Sequence, residues 1–137
     1  MDNQSQVDPF DQLFVDREAL DRQLLADLIL PYVRLQRNTT EVIMTEEGDE
    51  LTLAKRVLVY LLARKVLVAT GVTEEEGAAP AQIEKDTGIP GGSLRPTLSR
   101  LVDDKLIRAD KAATKTAYFV PNHAVRQIAK LFKSEDK

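Results

Sequence analysis

One stretch decides the fold of this chain: Gly88-Ile89-Pro90-Gly91-Gly92-Ser93-Leu94-Arg95-Pro96-Thr97-Leu98-Ser99-Arg100-Leu101-Val102. The residues before it, 80–87, predict a helix. Gly88 is expected to end that helix, because glycine adopts the left-handed backbone of a helix C-terminus without strain. Ser93 is a favourable N-cap, which predicts a second helix from Ser93 to about Asp104. Pro96 is then expected in its first turn, where the missing N–H costs little. The stretch therefore predicts two helices joined by a tight turn.

The second predicted helix has one apolar side and one polar side. Leu94, Leu98, Leu101 and Val102 are spaced as a single buried stripe. The side chains outside the stripe are Ser93, Arg95, Thr97, Ser99 and Arg100. Beyond this helix, residues 106–109 and 116–120 predict two strands around a six-residue turn, 110–115. A β-hairpin is therefore expected to follow the helix pair.

This order of elements resembles the winged helix-turn-helix domain, the DNA-binding module of many prokaryotic regulators. The resemblance is carried by residues 81–89, 92–101 and 104–107, and with the preceding helix it covers about 52–133. Two positions depart from the pattern. Glu84 stands where a small residue, often alanine, lets the two helices approach, and Lys105 stands where glycine commonly ends the recognition helix. The resemblance implies a mainly α fold with small β-hairpins (α+β).

The resemblance also implies which residues meet DNA. In a helix-turn-helix the second helix enters the major groove, and its N-terminal residues contact base edges. Arg95 or Arg100 can donate two hydrogen bonds to a guanine, and Thr97 can touch a thymine methyl group or a phosphate. Arg108, Lys111 and Lys115 surround the hairpin tip and are expected to reach phosphates or the minor groove. The implied DNA-binding residues are Gly92, Ser93, Arg95, Thr97, Ser99, Arg100, Arg108, Lys111 and Lys115.

The turn Pro90-Gly91-Gly92 admits two interpretations. Its glycines let a helix N-terminus approach a DNA phosphate closely, and the helix dipole favours an anion there. Alternatively, the turn has a purely structural role.

The N-terminal part predicts a helix and a hairpin. Asp16 is expected to cap a helix from about Arg17 to Leu30, and Pro31 to end it. This amphipathic helix needs a partner, which is either its own domain or a second copy in a homodimer. Residues 33–45 predict a hairpin whose turn is Arg37-Asn38-Thr39-Thr40.

Residues 53–70 predict the central helix, with Thr52 as its cap and Gly71 as its stop. The segment is apolar around much of its circumference, which favours burial from more than one side. Its Lys/Arg pairs are expected at a solvated rim. The acidic stretch 73–80 is expected to form a short helical turn or a mobile loop, and Asn122 is expected to cap a last helix over 123–132. The predicted core contains Leu58, Leu61, Leu62, Ile83, Leu94, Leu98, Leu101 and Ile107.

The expected organisation has four parts: a flexible N-terminus at 1–15, a helix-plus-hairpin extension at 16–51, the winged-helix domain at 52–133 and a flexible tail at 134–137. The chain of 137 residues has no cysteine, which excludes disulfides and thiolate metal sites. Its first residues lack the pattern of a signal peptide, and no apolar run reaches the roughly 18 residues of a membrane span. We therefore expect a cytoplasmic protein without a membrane partner.

Charge is distributed unevenly. The net charge is -3, but residues 1–78 carry a net -7 and residues 79–137 a net +4. This asymmetry favours a basic binding half joined to an acidic half, although ordinary solvated surface is the alternative. No phosphate-binding loop, serine-hydrolase elbow or zinc-protease motif is present in the sequence. The single histidine, His123, cannot form a histidine metal site alone.

The sequence therefore predicts a transcriptional regulator that binds double-stranded DNA as a homodimer, with no enzymatic activity and no cofactor. Two copies would bind half-sites about 34–36 Å apart. The alternative is a winged-helix module that binds another protein in a replication, transcription or chromosome assembly.

Overall fold

The computed structural model describes residues 8–13, 20–111 and 115–134. Helices predominate over these residues, and two antiparallel hairpins complete the fold, so the predicted mixed helix-and-strand class is confirmed. The predicted flexible ends fall largely outside the described residues. In chain order the elements are a 3-10 helix (Pro9–Leu13), α1 (Arg22–Ile29), β1 (Val33–Leu35), β2 (Val42–Met44), α2 (Glu46–Asp49), α3 (Leu53–Ala69), α4 (Pro80–Thr87), α5 (Gly91–Asp103), β3 (Arg108–Asp110), β4 (Ala117–Phe119), a 3-10 helix (Asn122–Ala124) and α6 (Val125–Ser134).

Helix α3 is the centre of the fold. The hydroxyl of Thr52 caps it by accepting from the Lys55 N–H at 3.3 Å. Residues 57–65 are buried without a break. The helix contacts α1, α2, α4, α5 and strands of both hairpins. All eight predicted core residues are buried, so the predicted core is confirmed.

Two cations of α3 are not where the sequence predicts them. Arg64 and Lys65 are only 3% exposed, so the expected solvated rim is wrong at this pair. The Arg64 guanidinium donates to the backbone carbonyls of Glu75 and Glu76 at 2.7 and 2.8 Å. Lys65 Nζ lies 2.7 Å from the Glu76 carboxylate. The pair is buried because the acidic segment after α3 folds back and supplies the acceptors.

That acidic segment has no helical turn, since no helix lies between Ala69 and Pro80. It ends at Ala78, which exchanges two backbone hydrogen bonds with Tyr118, both 2.9 Å long. The segment therefore links the side of α3 to the second hairpin.

The N-terminal helix is shorter than predicted. It begins at Arg22 instead of Arg17, and its cap is Asp21, whose carboxylate accepts from the Leu24 N–H at 3.0 Å. The predicted cap Asp16 lies outside the described residues. Leu25 and Ile29 are buried, so one side of α1 packs on its own domain.

The first hairpin agrees with its prediction, and Val33 pairs with Met44 and Leu35 with Val42. A short helix, α2, follows the hairpin directly, and the Thr45 hydroxyl caps it by accepting from the Gly48 N–H at 3.0 Å.

The helix pair differs from its prediction at one end. Helix α4 has the predicted bounds, and Gly88 leaves it with φ +77°. Helix α5 begins at Gly91, two residues early, because the extended backbone of Pro90 serves as its N-cap. Ser93 is therefore not the cap. Pro96 is the sixth helical residue and not part of the first turn.

The second hairpin is shorter than predicted, with Arg108 paired to Phe119 and Asp110 to Ala117. Strand β3 begins two residues later than predicted, and Leu106 and Ile107, which precede it, are buried in the core. Lys105 turns the chain out of α5 with φ +64°, a conformation that glycine adopts more easily. The last helix, α6, begins at Val125, after the 3-10 turn at Asn122–Ala124.

Candidate nucleic-acid interface

Helix α5 has a buried side and an exposed side. Leu94, Leu98 and Leu101 are buried where α5 packs on α3 and α4. The opposite side of the helix is formed by four residues, spaced by four, three and four positions so that they lie on one face. These are Gly92, Pro96, Ser99 and Asp103, and all of them are exposed. The outer face of α5 is therefore an exposed strip of mostly small side chains without a cation at its centre.

Two arginines border this strip. Arg95 and Arg100 are both exposed. Because they are five residues apart, they project about 140° apart around the helix axis. Neither pairs with an acidic side chain within the described part of the chain. Their guanidinium groups therefore flank the strip from opposite sides and are available to an outside partner.

Thr97 is the least accessible of the predicted DNA-binding residues. It is half-buried, and its hydroxyl donates to the Ser93 carbonyl at 2.9 Å. It lines a shallow concavity of about 420 Å³ where α5 meets the start of α3. Ser93 is exposed. Of these two polar side chains, Ser93 is the one free to reach a large ligand.

Glu84 occupies the space in front of the first turn of α5. A Cβ built on Gly91 would lie 2.8 Å from a Glu84 carboxylate oxygen. Gly91 therefore makes room for the long Glu84 side chain, at the contact where the resembled pattern has a small residue. A carboxylate is favourable at a helix N-terminus, since the helix dipole is positive there. This geometry supports the structural role of the Pro90-Gly91-Gly92 turn.

The second hairpin presents the other three predicted cations. Arg108 is exposed on β3, and Lys111 and Lys115 are exposed on either side of residues 112–114, which lie outside the described residues. Acidic side chains lie on the same elements, because Asp103 and Asp104 end α5 and Asp110 ends β3, all three in exposed positions. The structure thus exposes all the predicted cations, on a surface of mixed charge.

A buried contact that the sequence analysis missed fixes α4 against α3. Tyr60 is fully buried, and its hydroxyl donates to the Asp86 carboxylate at 2.5 Å. Burial, reinforced by the neighbouring Asp86, raises the pKa of Tyr60 well above its ordinary value of 10.0, while Arg64 opposes the shift. The sequence signal was a lone tyrosine in an apolar helix, with a carboxylate near the end of the next helix.

The described residues bring together no three side chains of the types that bind metal ions. None of the described helices has both the length and the apolar character that crossing a bilayer requires. The comparisons found no match for this chain among protein-family models, curated proteins or solved structures.

Proposed function

We propose that this chain is a cytoplasmic DNA-binding protein of the winged helix-turn-helix class that regulates transcription. Helix α5 enters the major groove, and the β3–β4 hairpin acts as the wing on the flanking DNA. The proposal rests chiefly on the exposed outer strip of α5 and the two unpaired arginines that flank it. It assigns no catalytic step and no cofactor to the chain.

The order of the elements supports this assignment. Helices α3, α4 and α5 are followed directly by the hairpin, and α5 packs on both of the other helices. Ala78 pairs with Tyr118 and so adds a one-residue strand beside the hairpin. This pairing ties the segment before α4 to the hairpin that follows α5.

The exposed residues have distinct roles in the proposal. Arg95, near the N-terminus of α5, contacts a base edge, and Arg100 contacts a second base or a phosphate. The small or hydroxylated residues Gly92, Ser93 and Ser99 allow close approach and contact the backbone. Arg108, Lys111 and Lys115 bind phosphates, which positions the protein without specifying sequence. A homodimer then places two copies of α5 on half-sites one helical turn apart.

The decisive experiment selects binding sites from a random DNA pool and then compares three variants by fluorescence anisotropy. Arg95→Ala is expected to lose roughly 1–3 kcal/mol of binding free energy and to flatten the preference at one base position. Lys111→Ala is expected to weaken binding to all sequences about equally and to lower the salt slope by about one ion. Arg37→Ala, an exposed arginine in the first hairpin turn, is the charge-matched control and is expected to change neither.

Two results would contradict the proposal. The first is a selection that enriches no sequence while duplex DNA also fails to bind at low salt. The second is an Arg37→Ala variant that loses as much affinity as Arg95→Ala, because binding would then not involve α5.

The acidic groups around α5 favour one alternative, a winged-helix module that binds a protein. Glu84 lies against the first turn of α5, and Asp103 and Asp104 end it. Each of these carboxylates repels a nearby phosphate but can pair with a basic side chain of a protein. Crosslinking from position 95 in the absence of DNA separates the two functions.

A further inference from the structure

A groove lies between α1 and α6, on the N-terminal side of the molecule. It is open and encloses about 660 Å³. Its apolar floor includes the rings of Tyr32 and Phe132, whose centroids are 5.5 Å apart. Three cations of α6 stand along one side: Arg126, Lys130 and Lys133. Arg126 pairs with the Asp21 carboxylate at 3.3 Å, and Asp27 also lines the groove. The groove thus combines an apolar floor with a rim on which Lys130 and Lys133 are the cations of α6 left for a partner.

The same chain carries a segment of complementary chemistry. Residues 9–13 form a 3-10 helix, and the Asp8 carboxylate accepts from the Phe10 N–H at 2.9 Å. Phe10 is 68% exposed and Leu13 is 78% exposed, the highest values among the large apolar side chains of the described residues. Because side chains three residues apart eclipse one another in a 3-10 helix, both lie on one side. Asp8 and Asp11 give the segment a net charge of -2.

We propose that residues 8–13 of one copy bind in the α1–α6 groove of a second copy. Phe10 and Leu13 contact the apolar floor, and the net negative charge of the segment complements the basic rim. The exposure of Phe10 and Leu13 in the single chain shows that the segment does not occupy its own groove. A second copy carries the same exposed and acidic segment, and that copy is the occupant assigned to the groove.

The exchange is reciprocal. Each chain offers one segment and one groove, so two copies related by a two-fold axis satisfy both at once and close the assembly. The segment is already turned in the single chain, which lowers the ordering cost of docking. This mode of assembly does not depend on DNA binding, and the two proposals can fail separately.

Sedimentation equilibrium of the full chain tests the contact. Phe10→Ala combined with Leu13→Ala is expected to raise the dimer Kd by roughly 30-fold or more, because two apolar anchors are lost. Lys130→Glu combined with Lys133→Glu is expected to weaken the dimer as well, by reversing the charge of the rim. Val72→Ala and Ile43→Ala, which trim exposed apolar side chains elsewhere, are the matched controls and are expected to leave the Kd unchanged. Circular dichroism checks that each variant is folded.

Crosslinking then identifies the chain that supplies the segment. A photoreactive phenylalanine analogue at position 10, in an equimolar mixture of ¹⁴N- and ¹⁵N-labelled protein, is expected to give mixed-isotope crosslinks to residues 126–133. Crosslinks confined to one isotope would overturn the proposal, since the segment would then occupy its own groove. A monomer at high micromolar concentration, or a dimer unaffected by the segment variants, would also overturn it. A dimer of the expected kind that fails to bind DNA would contradict only the DNA-binding proposal.

Discussion

At the residue scale, the position of the Glu84 side chain depends on the absence of a side chain at Gly91. The Glu84 carboxylate lies where a Cβ of residue 91 would be, so Gly91→Ala must displace it from the start of α5. Alanine also lowers the conformational entropy of the unfolded chain relative to glycine, which stabilises the fold by roughly 0.4–1 kcal/mol. We therefore expect Gly91→Ala to change stability little in the native chain, but to stabilise a Glu84→Ala variant by roughly 0.4–1 kcal/mol.

A double-mutant cycle from urea unfolding measures this coupling. Gly92→Ala is the control, because a Cβ there meets nothing within 4 Å and its effect should be the same in both backgrounds. Additivity of Gly91→Ala and Glu84→Ala within about 0.3 kcal/mol would show that the two residues do not interact.

Residue-scale contacts of this kind were the least predictable part of the site. The sequence marked Glu84 as a departure from the expected pattern, but the residue that accommodates it lies across a turn. Arg64 was predicted to be solvated because burying a charged side chain without partners is costly, and the sequence shows no partner for it. Its acceptors are backbone carbonyls 11 and 12 residues further on, and backbone acceptors leave no mark in side-chain composition.

At the element scale, Pro96 weakens the helix that is proposed to enter DNA. As the sixth residue of α5 it has no N–H for the Gly92 carbonyl, whereas in a first turn it would cost almost nothing. Pro96 is exposed, so its replacement leaves the core unchanged. We expect Pro96→Ala to stabilise the protein by roughly 1–2 kcal/mol, since the regained hydrogen bond outweighs the greater entropy of the unfolded chain.

Thermal unfolding measures this change, with Ser99→Ala as the control at another exposed position on the same face. A melting temperature lowered by Pro96→Ala would mean that the proline is already accommodated in the helix without strain.

The elements themselves were largely predictable, because periodicity and capping residues act locally. Helix α4 was predicted to the residue, and the stripe of Leu94, Leu98 and Leu101 fixed which side of α5 is buried. The start of α5 was missed because Ser93 is a better cap by side-chain chemistry than Pro90. In the structure the extended backbone of Pro90 serves as the N-cap, and α5 therefore begins two residues before Ser93. The same periodicity predicts that Arg95 and Arg100 are exposed, because they lie off the leucine stripe. The acidic side chain that Glu84 brings to α5 could not be predicted in this way, because it comes from a neighbouring helix.

At the scale of the whole molecule, the buried Tyr60 links the stability of the fold to alkaline pH. Its pKa is raised in the folded state, so the unfolded chain loses this proton first, near pH 10. The contribution of the hydroxyl to stability is complete below that pH and falls as the pH rises through it. We expect Tyr60→Phe to destabilise the protein by roughly 1–2 kcal/mol at pH 7, and this difference to shrink above about pH 10.

Guanidinium unfolding between pH 7 and 11 measures the difference between the two proteins. Asp86→Asn keeps an acceptor for the hydroxyl but removes the charge that opposes ionisation, so its stability should depend less on alkaline pH than that of the native chain. A constant gap between native protein and Tyr60→Phe over this range would show that the phenol ionises equally in both states.

The link between Arg64, the acidic segment and Tyr118 has a consequence for the order in which the chain assembles. Arg64 reaches carbonyls 11 and 12 residues away, while Ala78 pairs with a residue 40 positions later. Closing the longer loop in the unfolded chain costs about 1 kcal/mol more entropy than closing the shorter one. Loop closure thus favours binding of the acidic segment to Arg64 before Tyr118 pairs with Ala78. The second hairpin then pairs with a segment that α3 already holds.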